Sequence, residues 1–106
     1  MKTKIAFIIN PHSGTEKKGE LPSLIQQELN STVFDSEVVF TQFRGHGTLL
    51  AKEFVEKKYD WVIAVGGDGT VNEIARSLVH SNTSLGIIPI GSGNGLARHL
   101  LLPMNL

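Results

Sequence analysis

A glycine-rich segment from Gly66 to Thr70, with the sequence Gly-Gly-Asp-Gly-Thr, follows an apolar run and precedes a helical pattern. Glycine lets a ligand approach the main chain closely and allows backbone conformations that are closed to other residues. The N–H groups of such a turn and of the following helix N-terminus face one point, which suits a phosphate. Thr70 and Glu73 have the spacing of a capping box. The sequence therefore predicts a phosphate site, with a tight turn that binds no ligand as the alternative.

Two further polar loops that contain glycine follow apolar runs, and they span Asn10 to Gly14 and Gly91 to Gly95. In a parallel sheet every loop that follows a strand lies at the carboxyl edge, where ligands bind in open α/β sheets. We therefore expect both loops to converge with the Gly66 to Thr70 turn. Thr41, late in the second predicted strand, should lie near the same edge.

The elements that would position these loops alternate between strand and helix periodicity. Apolar or β-rich runs predict strands at 4–9, 37–43, 61–65 and 85–88. Helical spacing predicts helices at 21–29, 48–58, 71–79 and 96–101, the second of them capped by Thr48. This alternation predicts right-handed crossovers and an α/β fold, a three-layer Rossmann-like parallel sheet with helices on both faces.

Size and composition limit the classes of protein that are possible. The chain has 106 residues, enough for one modest domain. Its formal net charge is zero, so nothing in the bulk balance attracts nucleic acid. It has no cysteine, which is consistent with a reducing compartment, and we expect a cytoplasmic protein. No apolar stretch approaches the roughly 20 residues that span a bilayer.

Three other motifs are incomplete. The segment from Gly91 to Leu96 nearly fits the dinucleotide fingerprint, but its last glycine comes one place early and it follows the fourth strand. Gly14 and Gly19 have the spacing of a P-loop, yet Glu20-Leu21 stands where lysine and serine or threonine are required. The four histidines have no metal-ligand spacing near a carboxylate cluster, so we expect no metal site within this chain.

Four short motifs in the right order carry a resemblance to a known family. They are Asn10-Pro11-His12-Ser13-Gly14, Thr41 with His46 and Gly47, Gly66-Gly67-Asp68-Gly69-Thr70-Val71-Asn72-Glu73, and Pro89-Ile90-Gly91-Ser92-Gly93-Asn94. They resemble the N-P-x-S-G, T-x4-H-A, G-G-D-G-T-x-N-E and P-x-G-[ST]-G-N motifs of the diacylglycerol kinase catalytic-domain family. That family includes bacterial lipid kinases and sphingosine kinases and is related in fold to NAD kinases.

The resemblance implies ATP-dependent phosphorylation of a lipid alcohol, with Mg²⁺ as cofactor and transient contact with a membrane surface. It implies nucleotide contacts from Asn10, Pro11, His12, Ser13, Gly14, Thr41, Gly67, Asp68, Gly69, Thr70, Val71, Asn72, Glu73, Ser92, Gly93 and Asn94. Asp68, a carboxylate in an anion-seeking turn, is the expected catalytic residue, since it could orient a hydroxyl or act through Mg²⁺. Its alternative role is to accept hydrogen bonds from loop amides.

Members of the family continue into a second, mostly β domain, which would supply the general base, much of the magnesium site and much of the lipid pocket. The resemblance therefore implies that residues 1–106 are an N-terminal nucleotide-binding domain without activity of its own. The apolar residues of 96–106 would then lack a partner domain, and we expect self-association through them or fraying of the residues after Leu101.

The sequence departs from the family motifs at two positions, and two alternative functions stay open. Gly47 stands where the family usually has alanine, and Gly95 stands where aspartate or alanine is common, which leaves the acceptor open. An NAD kinase shares the Gly-Gly-Asp-Gly-Thr signature and the fold. A non-catalytic nucleotide-binding or dimerisation module would also satisfy the pattern.

Overall fold

A computed structural model describes residues 2–11 and 21–89 of the chain. Strands and helices alternate through this part of the molecule, as the sequence predicts. The elements are β1 (Thr3–Ile9), α1 (Leu21–Glu28), β2 (Phe34–Phe40), α2 (His46–Glu56), β3 (Trp61–Gly66), α3 (Asp68–Leu78) and β4 (Ser84–Pro89).

The four strands form one parallel sheet with the order β2-β1-β3-β4. Strands β1 and β3 occupy the centre because their apolar runs have no polar face to leave in water. Residues Ile5 to Ile9 and Val62 to Val65 are almost completely buried. The chain leaves β1 toward one edge and later passes to the other side, so the order reverses between β1 and β3. Such a switch point leaves a crevice at the carboxyl ends of the strands.

Helices cover both faces of the sheet, which confirms the predicted three-layer α/β fold. On one face, Ile25 of α1 and Leu29 just after it form a core with Phe7 of β1. On the other face, α2 and α3 contribute their buried residues to a second core, with Ile8 from the same strand. Successive residues of β1 therefore point into different cores, as strand geometry requires.

Two predicted boundaries around β2 are wrong. The strand runs from Phe34 to Phe40, not from 37 to 43, because buried Phe34 already pairs with Thr3 of β1. Helix α2 begins at His46, and its N-cap is Gly45 in the left-handed conformation, with φ 87°. Thr48 lies inside the helix and does not cap it. The four residues that follow Phe40 and precede Gly45 are consequently loop rather than strand.

The start of α3 also differs from the expectation. The helix begins at Asp68 rather than at 71, so the second half of the glycine segment is its first turn. Gly67 is the N-cap in an extended conformation, and no side chain caps the helix. Thr70 is the third helical residue and Glu73 the sixth, so the predicted capping box does not form.

Several expectations concern residues outside the described ranges. These are the loop positions His12, Ser13 and Gly14, the loop positions Ser92, Gly93 and Asn94, the helix predicted at 96–101, and the association through it. Of the helices within 2–11 and 21–89, none has the length and apolar character needed to cross a membrane.

Candidate functional site

Backbone hydrogen bonds hold the ends of three strands side by side. The Asn10 N–H donates to the Val65 carbonyl at 3.0 Å, which joins the loop after β1 to the end of β3. The Thr41 N–H donates to the Ile9 carbonyl at 2.8 Å, which joins the loop after β2 to the end of β1. The polar residues that follow these strands therefore share one edge of the sheet, as the sequence predicts.

A cavity of about 330 Å³ lies at this edge, across the switch point between β1 and β3. Its lining comes from the loop after β1, the loop after β2 and the first half of α3. The described residues that line it are Asn10, Thr41, Phe43, Arg44, Gly69, Thr70 and Glu73. Five of these seven are among the expected nucleotide-binding residues, so residues far apart in sequence do converge.

The cavity floor contains a direct link between two predicted site residues. The Asn10 side-chain Nδ2 donates to Thr70 Oγ1 at 3.0 Å. Thr70 is only 7% exposed, and Thr41, which lines the same cavity, is 8% exposed. These short polar side chains are packed on the sheet rather than solvated, so their positions are defined before any ligand arrives.

The start of α3 offers donors and open space. The first helical hydrogen bond runs from the Val71 N–H to the Gly67 carbonyl at 3.1 Å. Helix geometry therefore leaves the N–H groups of Asp68, Gly69 and Thr70 without partners inside the helix. A Cβ placed on Gly67 or Gly69 would meet no atom within 4 Å. The helix end thus combines donors that have no partner inside the helix, a positive dipole and, among the described residues, room for an anion.

The reason for glycine in this segment differs from the expectation. Among the described residues, the one glycine with a positive φ is Gly45, not Gly67 or Gly69. Gly67 is extended and Gly69 is helical, so neither needs the conformational freedom of glycine. What glycine provides at these two positions is the empty volume beside the helix N-terminus.

Five described residues of the predicted site lie near the cavity without lining it, and one of them is Gly67, the N-cap of α3. Pro11 is exposed in a turn, and Asp68 is exposed as the first residue of α3. Val71 is half-buried and packs on the core shared by α2 and α3. Asn72 is exposed, and its carbonyl accepts from Arg76 Nε at 3.4 Å. Asp68 has no hydrogen bond to another described residue. Its alternative role, to accept hydrogen bonds from loop amides, is therefore not seen among the described residues.

Phe43 and Arg44 line the cavity, although neither was expected there. Phe43 is 57% exposed, and its ring stacks on the His46 ring with centroids 4.3 Å apart and planes at 14°. The sequence predicts Phe43 as part of a strand, because it lies in a β-rich run. The sequence signal that could have found Phe43 and Arg44 is Thr41. It is predicted at the carboxyl edge of the sheet, so the residues that follow it also lie there.

His46 stabilises the turn after β2. Its Nδ1 accepts from the Gln42 N–H at 2.9 Å, so Nε2 carries the proton in the neutral ring. The imidazole is held by this bond and by the Phe43 stack. The predicted motif from Thr41 to His46 therefore forms a turn held by side-chain contacts, and this turn is one wall of the cavity.

Charge in the cavity wall is mixed. Arg44 and Glu73 bring one formal charge of each sign. Across 2–11 and 21–89 there is no cluster of three or more His, Cys, Asp or Glu that could hold a metal ion. Tyr59 lies elsewhere, where burial first and then the hydrogen bond to Glu37 raise its pKa to about 12. That shift belongs to a structural contact and not to the cavity.

The sheet order defines an α/β protein with a cavity at its switch point, and comparison with known proteins identifies the family. The model of the diacylglycerol kinase catalytic domain matches residues 4–106. This chain belongs to the diacylglycerol kinase catalytic-domain family.

Curated relatives agree with this assignment. The chain is 37% identical to a diacylglycerol kinase of Staphylococcus saprophyticus over 109 aligned positions, which cover 100% of this chain and 35% of the relative. It is 35% identical to a diacylglycerol kinase of Bacillus subtilis over 92% of its length, which is 33% of that relative. The chain therefore spans about a third of the length of these relatives.

Solved structures give the same picture for the fold. A putative diacylglycerol kinase from Bacillus anthracis aligns with 97% of this chain and 36% of its own, at TM-score 0.72 and 33% identity. A second structure of a putative diacylglycerol kinase from that organism aligns at TM-score 0.80 and 28% identity, over 97% of this chain and 41% of its own.

Proposed function

We propose that this chain supplies the nucleotide-binding half of a diacylglycerol kinase-like enzyme that transfers a phosphoryl group from ATP to a lipid hydroxyl. One observation carries the proposal. Asn10, Thr41, Gly69 and Thr70, from three separate strand ends, line one cavity at the N-terminus of α3. The names of the relatives supply the chemical class, since each is called a diacylglycerol kinase.

Phosphoryl transfer requires positioning and charge stabilisation more than covalent chemistry by the protein. In this proposal the free N–H groups at the start of α3 bind nucleotide phosphates, and Gly69 leaves room for them to approach. Asn10, Thr41 and Thr70 line the adjacent wall. The expected contacts from His12, Ser13 and Gly14 and from Ser92, Gly93 and Asn94 would complete the site from the two remaining loops.

In this proposal the Asp68 carboxylate lies next to the bound phosphates and is not one of the groups that bind them. It is exposed as the first residue of α3, adjacent to Gly69 in the cavity wall. A carboxylate there would repel a bare phosphate but could orient a hydroxyl or hold Mg²⁺ through its oxygen atoms. Bound Mg²⁺ would neutralise charge on the transferring phosphoryl group. With one carboxylate of this kind, we propose that most metal ligands come from outside this chain.

The same proposal includes the organisation of the whole enzyme. Residues 1–106 are the nucleotide-binding N-terminal domain, and the general base and lipid pocket belong to a separate β domain. This chain alone would then bind ATP but not turn over lipid. Cytoplasmic location, transient contact with a membrane surface and self-association through 96–106 belong to the proposal as well.

Calorimetric titration with ATP and ADP tests the binding half of the proposal. Saturable binding to this chain that is lost in Gly69→Val, with circular dichroism unchanged, is the expected result. Phosphorylation assays with diacylglycerol and with NAD as acceptors test the catalytic half. We expect no turnover by this chain and turnover of diacylglycerol by a chain extended to the length of the relatives. Phosphorylation of NAD instead would establish the alternative enzyme.

A further inference from the structure

Glu73 contacts the wall of the cavity in a way that motif matching does not show. Its Oε2 accepts from the Gly45 N–H at 3.2 Å, across 28 residues of sequence. Gly45 is the left-handed N-cap of α2 and directly follows Phe43 and Arg44, which line the cavity. The carboxylate therefore joins α3 to the turn between β2 and α2.

A second observation concerns the space that this carboxylate occupies. A Cβ placed on Gly47 would lie 2.9 Å from Glu73 Oε1 and 3.6 Å from Ile74 Cγ1. Gly47 is buried in the first turn of α2 with ordinary helical geometry, where alanine would be the better helix former. A side chain at this position would crowd the Glu73 carboxylate where it accepts from the Gly45 N–H.

A third contact holds the same two helices together. Ser77 Oγ, one turn beyond Glu73, lies 3.4 Å from the Thr48 carbonyl and donates to the Glu73 carbonyl at 3.0 Å. Helices α2 and α3 are therefore in register beside the turn.

We propose that Glu73 is a positioning residue, which places the turn carrying Phe43 and Arg44 against the nucleotide, and that Gly47 provides the room for it to do so. The inference rests on the proposed function, because it takes ATP as the occupant of the cavity. It differs from a direct role for Glu73, in which its negative charge would contact the nucleotide or its metal.

Four variants separate positioning from direct contact. Glu73→Gln keeps an acceptor oxygen within reach of the Gly45 N–H, whereas Glu73→Ala removes it. Gly47→Ala displaces the end of a flexible side chain and leaves the backbone intact. In the double variant with Glu73→Ala, the added methyl has no carboxylate to meet, so it should cause no further loss of ATP affinity.

The measurements are calorimetric titration with ATP, thermal unfolding and the ¹⁵N–¹H resonance of Gly45. We expect Gly47→Ala and Glu73→Ala each to weaken ATP binding about two- to tenfold, the effect of one ordinary hydrogen bond. Both should shift the Gly45 amide resonance. Gly47→Ala should keep or raise the unfolding temperature, which a merely structural role would not predict. Glu73→Gln should lose less ATP affinity than Glu73→Ala, because it keeps an acceptor oxygen for the Gly45 N–H.

Two results would overturn the inference. One is a Gly45 resonance and an ATP affinity that are unchanged in Gly47→Ala. The other is an equal loss of affinity in Glu73→Gln and Glu73→Ala, which would establish direct contact by the charge. If the wild type binds no ATP, the proposed function fails by itself. The Gly45 resonance in the four variants then still decides whether Glu73 holds the turn.

Discussion

The Asn10 side chain donates to Thr70 Oγ1 at 3.0 Å, which joins two residues that are 60 positions apart. Asn10 follows β1 and Thr70 lies in the first turn of α3, so the bond crosses the switch point of the sheet. It sets the distance between the first loop and the helix N-terminus that faces the cavity. A ligand at this point meets a site whose two sides are already fixed relative to each other.

The energy of this link can be measured by a double-mutant cycle. Asn10→Ala, Thr70→Val and the double variant should show a coupling of about 0.5–1.5 kcal/mol in the free energy of unfolding, as for an ordinary buried hydrogen bond. Urea unfolding at neutral pH gives the four values. Additive effects would mean that the two side chains do not interact in solution.

A methyl group at Gly69 should separate stability from binding. A Cβ on Gly69 would meet no atom within 4 Å, and the backbone there is helical. Gly69→Ala should therefore fold normally and gain up to about 1 kcal/mol of stability. The methyl occupies the space proposed for phosphate, so ATP affinity should fall at least several-fold. Thermal unfolding and calorimetric titration of the same sample check both effects. Unchanged affinity would contradict phosphate binding at this point. Leu49→Ala, which shortens an exposed side chain of α2, is the control for a surface substitution outside the cavity lining.

Gly86 in β4 should be intolerant of any side chain for a packing reason. Its added Cβ would overlap Ile63 Cδ1, which belongs to a buried residue of β3. Gly86→Ala should therefore cost about 1–3 kcal/mol by overpacking. Ile63→Val removes that terminal methyl, so the double variant should be more stable than the sum of the single effects predicts. Chemical denaturation checks this, and strict additivity would count against the overlap.

Tyr59 gives the chain a specific alkaline sensitivity. Burial, then the hydrogen bond that its hydroxyl donates to Glu37 at 2.9 Å, raises its pKa from 10.0 to about 12. The folded state therefore retains a proton that the unfolded state loses. The stabilising contribution is complete below pH 10 and disappears as the pH rises toward 12.

This shift is directly measurable because Tyr59 is the one tyrosine in the chain. Absorbance at the tyrosinate band should show a midpoint about two units above that of the urea-unfolded chain. Glu37→Gln should lower the midpoint while leaving it above 10, because burial is the largest cause of the shift. In Tyr59→Phe, the part of the alkaline destabilisation that belongs to this hydroxyl should be absent. A folded-state midpoint at the unfolded value would refute the assignment.

Local sequence predicts much of this fold because periodicity and apolar runs are local properties. The central strands β1 and β3 are continuous apolar segments, and their bounds were predicted to within one residue. Parallel order then follows from alternation with helices, and it places Asn10, Thr41 and Thr70 at one edge. The predicted bounds of β2 and α2 are less accurate, because Phe34 extends the strand by pairing with Thr3. Helix α2 begins at His46 after the N-cap Gly45, which has no side chain to cap it.

Sequence alone determined the family motifs, the α/β class and the edge of the sheet where the polar loops meet. Tertiary structure decided which polar groups face the cavity and which bind each other. The bond of Glu73 to the Gly45 N–H and the bond of Asn10 to Thr70 join residues 28 and 60 positions apart. Such pairs depend on how helices pack across the sheet, to within a fraction of an ångström. No local pattern encodes that distance, because it is the sum of many side-chain contacts in two separate cores.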